Sequence, residues 1–325
     1  MKRSSCGARG RDAPPKAGPA QALARAQAPP RPSGGLLSWL EKLKIKTLLL
    51  IVFIVYASVP IFIYLFPSLL QKFVYLNFLV YPLWVDFNKP EVFLSHTANF
   101  HLTTEPGITL GIWAASYRVA LTKVMSNGGF HVLAVDYRGY ADSTGYPSED
   151  GFTTDILFLY DWVKARSGNS SVILWGHSLG TGIATNTAKE LKEKGIVVDT
   201  IILEAPFTNI RDAAAHIHIA KIYRKFPGFE YLVLDTMARA DMHFPSDKNV
   251  KVLSSPLLIL HSEDDGVIPV HLGKKLFEVA RNASTKKENV KFIAFPANQR
   301  LGHEYIYSCP NLLTIVKDFL SSVKQ

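Results

Sequence analysis

One stretch limits the possible folds more than any other: Val172-Ile173-Leu174-Trp175-Gly176-His177-Ser178-Leu179-Gly180-Thr181-Gly182. Four apolar residues lead into Gly-x-Ser-x-Gly, and a helix-like stretch rich in alanine and threonine follows. This pattern predicts a strand that turns sharply into a helix and lifts a serine hydroxyl on the bend. Such a turn strains the backbone at Ser178, so its neighbours must be small. Gly176 and Gly180 are expected to let strand and helix pass closely. The helix would also point the positive end of its dipole at the hydroxyl, which suits an oxyanion. The plain alternative is a glycine-rich surface turn with an ordinary serine, and the apolar lead and helical sequel speak against it.

Beyond Pro90, short apolar runs alternate with longer amphipathic ones. The runs are Ile108–Trp113, Phe130–Val135, Val172–Trp175, Thr200–Leu203, Pro256–Leu260 and Val290–Phe295. Helical patterns lie between or after them at Tyr117–Ser126, Thr153–Ala165, Gly182–Lys194, Leu272–Arg281 and Leu312–Val323. Strands alternating with helices predict an α/β domain: a mostly parallel sheet with helices on both faces. Chemistry in such sheets collects beyond the carboxyl ends of the strands, where the serine bend falls. Residues 206–250 interrupt the alternation with a long, aromatic, partly helical stretch, read as a cap over the site.

The N-terminal part is of another kind. Residues 1–46 hold ten Lys/Arg against two Asp/Glu, whereas the remainder holds 26 against 25, so the net charge of +9 belongs to the tail. A basic nucleic-acid surface on the folded domain is therefore not supported. The basic tail over residues 1–46 predicts disorder; its residues 1–35 are rich in Ala, Pro, Gly and Arg, and their prolines argue against a mitochondrial targeting helix. Thr47–Phe66 carries no charge and is long enough to span a bilayer as an uncleaved anchor, with Pro60 as a tolerated kink. Lys42, Lys44 and Lys46 precede it, which predicts a cytosolic N-terminus and a domain in the lumen or outside. The sequons at Asn169 and Asn282 agree with that side. Residues 67–90 form a membrane-proximal segment; the aromatic stretch 69–87 within it reads equally as an interfacial segment or as the first core-packing piece of a domain over 91–325. Two cysteines, Cys6 and Cys309, build neither a disulfide framework nor a thiolate metal site.

A serine hydroxyl needs a base to take its proton, and the base needs a carboxylate to orient it. In α/β-hydrolases the chain order is Ser, then Asp or Glu, then His. Leu257-Leu258-Ile259-Leu260-His261-Ser262-Glu263-Asp264-Asp265 is an apolar run ending in an acidic loop, which points to Asp265 as the acid, with Asp264 as the rival. Among ten histidines, His303 stands where the order requires, after the last strand and before the final helix. His177 sits too close to the serine to turn back on it, and His261 precedes the acid. The N–H of Leu179 is the first oxyanion donor. The second usually comes from a His-Gly loop, and no such dipeptide precedes Ser178.

These residues, with Asp136-Tyr137-Arg138-Gly139, Glu204-Ala205-Pro206-Phe207 and Tyr305-Ile306-Tyr307, resemble the membrane-anchored abhydrolase-domain-containing protein 12 family from about Leu43 onward. The resemblance implies an α/β-hydrolase fold, acylglycerol or lysophospholipid ester hydrolysis, and neither metal nor organic cofactor. It also implies a single-pass endoplasmic-reticulum membrane protein with a lumenal domain. The sequence departs from the family after Gly111-Ile112-Trp113: the extended segment, central strand and His-Gly loop are missing, and the helical pattern follows at once. Two further readings remain open. One is a catalytically silent membrane scaffold or regulatory form; the other is an adaptor whose basic tail binds anionic headgroups.

Overall fold

The computed structural model describes residues 35–76, 99–113 and 119–323. The residues expected to be disordered before 35, most of the aromatic stretch 69–87, and the junction at 114–118 lie outside them. Two compact units divide the chain at Tyr56/Ala57. Helix α1 (Gly35–Leu65) contains the uncharged stretch except Phe66 and includes Pro60 without ending there; it also takes in residues 35–46, which corrects the expectation of disorder through 46. Its Leu48, Leu49 and Phe53 are all about 60% exposed, as suits a helix whose surroundings are not water. Helix α2 (Ser68–Tyr75) begins after Pro67 and ends on Leu76 in the left-handed conformation. It buries Leu70 and Tyr75 in the domain core, where Tyr75 meets Phe152 and Phe244 edge-on. The core-packing reading therefore holds for this part of the stretch.

The strands form two sheets rather than the single sheet expected. In the first, β1 (Phe100–Glu105), β2 (Ile108–Trp113) and β3 (Ala134–Val135) are antiparallel in that order. In the second, β4 (Ile173–His177), β5 (Thr200–Glu204), β6 (Leu257–Ser262) and β7 (Val290–Phe295) are parallel. No ladder joins β3 to β4, and β4 is the less buried end of a sheet whose β5 and β6 are buried throughout. The gap stands where the sequence reading expects a segment of the family to be missing, after Trp113. It also explains why the apolar run Phe130–Val135 yields only two strand residues: a strand with a neighbour on one side alone keeps only the ladder that neighbour supplies.

Helices α3 (Val119–Asn127), α4 (Glu149–Lys164) and α5 (Leu179–Glu193) follow β2, β3 and β4. Ser148 caps α4 by accepting from the Gly151 N–H, with Glu149 and Asp150 in the first turn to complement the dipole. After β5 comes the stretch expected to act as a cap, which holds α6 (Ile210–Ala214), α7 (His218–Tyr223), a π-turn at Glu230–Leu234, α8 (Thr236–Arg239) and α9 (Ser246–Asn249). Helices α10 (Val270–Ala283) and α11 (Leu312–Val323) complete the parallel half. One apolar cluster, holding Leu203, Ile259 and Leu276, packs on one side of the parallel sheet; another, holding Ile202, Leu260 and Phe319, packs on the other. This is the two-faced burial that parallel strands require.

Two buried carboxylates tie the parts together. Asp155 of α4 accepts from the Arg138 guanidinium at 2.6–3.1 Å and from its backbone N–H at 3.2 Å, and the same guanidinium reaches Glu105 of β1 at 3.0 Å. Glu149 accepts from Asn186 of α5 and from the N–H of Phe244 beyond α8, both at 2.8 Å. Removing Asp155 would leave the buried guanidinium only the more exposed Glu105 as an ion partner, so Asp155→Ala is expected to destabilise the domain by about 3 kcal/mol. Denaturant titration in detergent checks this, and a loss under about 1 kcal/mol would show that the pair is not the tie between the antiparallel sheet and α4.

Candidate active site

Ser178 stands between β4 and α5 with φ +51° and ψ −119°, outside the regions a non-glycine residue prefers. Its N–H donates to the Glu204 carbonyl at 3.0 Å, so the neighbouring strand holds the bend. The close approach falls mainly on Gly176, where a Cβ would lie 2.3 Å from the Gly180 carbonyl oxygen. At Gly180 a Cβ would meet only the Tyr137 hydroxyl, at 3.5 Å, which corrects the expectation that both glycines are needed for clearance. At Gly182, two residues on, a Cβ would lie 2.7 Å from the Phe244 ring.

The three residues expected to act together meet. The Ser178 Oγ is 2.9 Å from the His303 Nε2, and the His303 Nδ1 is 2.7 Å from the Asp265 Oδ2. Asp265 is fixed on its other oxygen by the N–H groups of Val267 and Ile268, both at 2.8 Å. Asp264, the rival, accepts from the Ser262 hydroxyl and from the Gly302 N–H, and so braces the histidine loop from beside the site. Burial alone would raise the Asp265 carboxyl. The hydrogen bonds from His261 and His303, the His303 charge and the Ile268 N–H outweigh it and hold the group well below the usual carboxylate range. Leu179 opens α5, so its N–H is one of the helix donors without an intrahelical acceptor.

Two histidines set aside from the sequence support the arrangement. His177 bonds the His303 carbonyl through Nε2 at 2.9 Å, with the two rings 4.8 Å apart. His261 is fully buried, bonds the Ile268 carbonyl at 2.8 Å and lies 3.4 Å from the Asp265 Oδ2. His177, His303 and Glu304 bring metal-capable atoms within 4.8 Å of one another. Both ring nitrogens of His303 already face Ser178 and Asp265, however, so this cluster is better matched to proton transfer than to metal ligation.

A hydroxyl on a strained bend, an imidazole in reach of it and a buried carboxylate behind define a serine hydrolase site on an α/β frame. Residues 106–231 match the alpha/beta hydrolase fold family. Protein ABHD12B of Homo sapiens is 47% identical over 298 residues, covering 79% of this chain and 82% of its own. Lysophosphatidylserine lipase ABHD12 of Xenopus tropicalis is 39% identical over 312 residues, covering 83% and 81%. The chain therefore belongs to the ABHD12 family of α/β-hydrolases. Among solved structures, the Pyrococcus furiosus esterase Pf2001 shares the fold with a TM-score of 0.56 at 16% identity, over 76% of this chain and 96% of its own.

Two outcomes test this geometry. Gly176→Ala forces the strand and helix apart, and a thermal melt is expected to show a loss of about 1–3 kcal/mol; an unchanged melt would mean the contact is slack. Asp265 is held below its unfolded value of about 3.9, so its stabilisation is full above that pH and is lost as pH falls from there through the lower folded value. The stability gap between the wild type and Asp265→Asn should narrow from about pH 7 to about pH 3 in melts, and a gap that widens would contradict the assignment.

Proposed function

We propose that this chain is a membrane-anchored serine hydrolase that cleaves carboxylic esters of acylglycerols or lysophospholipids through an acyl-enzyme. The observation that carries the reading is the unbroken line from the Ser178 Oγ through the His303 imidazole to the Asp265 carboxylate. In this reading His303 takes the Ser178 proton as the oxygen attacks the ester carbonyl, and returns it to the departing alcohol. Asp265 keeps the imidazole turned with Nε2 toward the serine and stabilises its protonated form. The Leu179 N–H faces the negative charge that develops on the carbonyl oxygen. Water then enters by the same base and releases the fatty acid.

The lipid substrate class is supported by the relatives named as lysophosphatidylserine lipases and by α1, which among the described residues is the one helix long and apolar enough to cross a membrane. The lysines before α1 support a cytosolic N-terminus and a lumenal domain, with the endoplasmic reticulum as the membrane. A second reading is favoured by the break between β3 and β4. Without the His-Gly loop one oxyanion donor is lost, which typically costs about 10²–10³-fold in rate. The chain would then serve as a silent or slow membrane-held form.

A fluorophosphonate probe separates these readings. The wild type is expected to be labelled and Ser178→Ala not, while Asp265→Asn should lower ester turnover by about 10⁴-fold. Equal labelling of wild type and Ser178→Ala would remove Ser178 from the mechanism. Labelling of the wild type without measurable turnover on monoacylglycerol or lysophosphatidylserine would favour the slow form.

A further inference from the structure

The last turn of α1 does not simply lead into the domain; it is clasped by the cap. The Tyr64 hydroxyl shares a 2.6 Å hydrogen bond with the Tyr231 hydroxyl, and the two rings lie 5.1 Å apart. Arg239 of α8 donates to the Tyr64 carbonyl at 2.9 Å and lays its guanidinium 4.4 Å above the Tyr64 ring. Gln71 of α2 donates to the Ala240 carbonyl at 2.8 Å, and Ile63 packs on the same core cluster as Met237 and Ala240. Tyr64 closes the apolar span Glu41–Leu65. If that span crosses a bilayer, Tyr64 falls at the water–lipid boundary, where tyrosine settles. Whatever clasps Tyr64 is brought to the same depth.

Helix α2 supplies an independent observation. Its inner face (Leu70, Val74 and Tyr75) enters the domain core, while its outer face presents Lys72, Phe73 and Leu76. Phe73 is 64% exposed and Leu76 44%, so the face turned from the protein is itself apolar with one cation. A water-facing helix of this length gains nothing from such a face; an interfacial one does. Lys72 and Arg239 form no ion pair among the described residues. The carboxylates of the cap's π-turn region, Glu230 and Asp235, are taken by Arg211.

We propose that the outer face of α2 and the cap edge at Tyr231 and Arg239 form one seat in the interfacial layer of the bilayer that α1 spans. Phe73, Leu76 and the Tyr231 ring occupy the boundary of the acyl region, and Lys72 and Arg239 meet phospholipid phosphate oxygens. The cap is then held at fixed depth in the membrane, with its orientation set by the Tyr64 clasp. The inference rests on the membrane-anchored part of the proposed function and is independent of the chemistry at Ser178.

The test is spin-label depth measurement on the full chain in phosphatidylcholine nanodiscs, in a Cys6→Ser background that leaves the buried Cys309 in place. Labels are placed at Phe73→Cys and Ala238→Cys, next to Arg239, and at Val197→Cys. Val197 is exposed and precedes β5, at the end of the sheet away from Ser178. The ratio of oxygen to nickel-chelate collisions is expected to be at least about threefold higher at 73 and 238 than at 197. Adding Arg239→Gln should lower the ratio at 238 and leave that at 197 unchanged. Water-like ratios at 73 and 238 in chain that co-elutes with nanodiscs would overturn the seat while leaving the anchor intact. Chain that fails to enter nanodiscs would overturn the anchor and the seat with it. An unmoved ratio at 238 in Arg239→Gln would overturn the phosphate contact.

Discussion

The site depends on two backbones touching where no side chain fits. Gly176 of β4 lies so close to the first turn of α5 that a methyl group would sit 2.3 Å from the Gly180 carbonyl. That closeness makes the chain reverse within one residue and forces Ser178 to φ +51°. The cost of that conformation, of order 1–3 kcal/mol, is met by the packing of β4 on β5 and of α5 on the sheet. In return the hydroxyl is held at the carboxyl end of the strand, where the loops after β6 and β7 deliver Asp265 and His303. A looser bend would let the oxygen wander by an ångström, which oriented proton transfer does not tolerate.

Much of this was legible in the residues because the chemistry leaves local marks. The serine motif, the acidic loop after an apolar run, and a histidine before the last helix each stand in one short stretch. The boundaries of β2, β7 and α11 coincide with apolar runs read from the sequence. Other features were not local. Strand β1 is a half-exposed hairpin arm of alternating Phe, Leu and Thr with polar residues, and only the Pro106-Gly107 turn hints at it. Whether Asp264 or Asp265 faces the histidine is decided by the N–H groups of Val267 and Ile268, which seize one carboxylate and turn it. The support that His177 and His261 give is set by residues more than a hundred positions away or on the far side of a loop, and spacing alone cannot show it.

Sequence and structure mark the same place. In the sequence a helical pattern follows Trp113 directly; in the structure β3 and β4 do not pair. The triad geometry holds because Ser178, Asp265 and His303 all hang from the four parallel strands, none of which shares a ladder with the antiparallel group. On the proposed reading that an interior strand is lost, two properties that usually travel together separate: an activated nucleophile and a complete cradle for the charge it creates.

The division of the sheet also changes how the domain holds together as it breathes. Among the described residues, the contacts across the gap include Phe130 and Val132, which share a cluster with Ile173 and Trp175, Phe100, which stacks on Trp162 at 5.3 Å, and Arg138, which grips Asp155 through its guanidinium and its backbone N–H. Hydrogen-bonded ladders resist shear along the strand, whereas apolar clusters slide. The antiparallel sheet is thus joined to the rest of its compact unit by packing and one buried ion pair, a seam that yields to shear more readily than a ladder does.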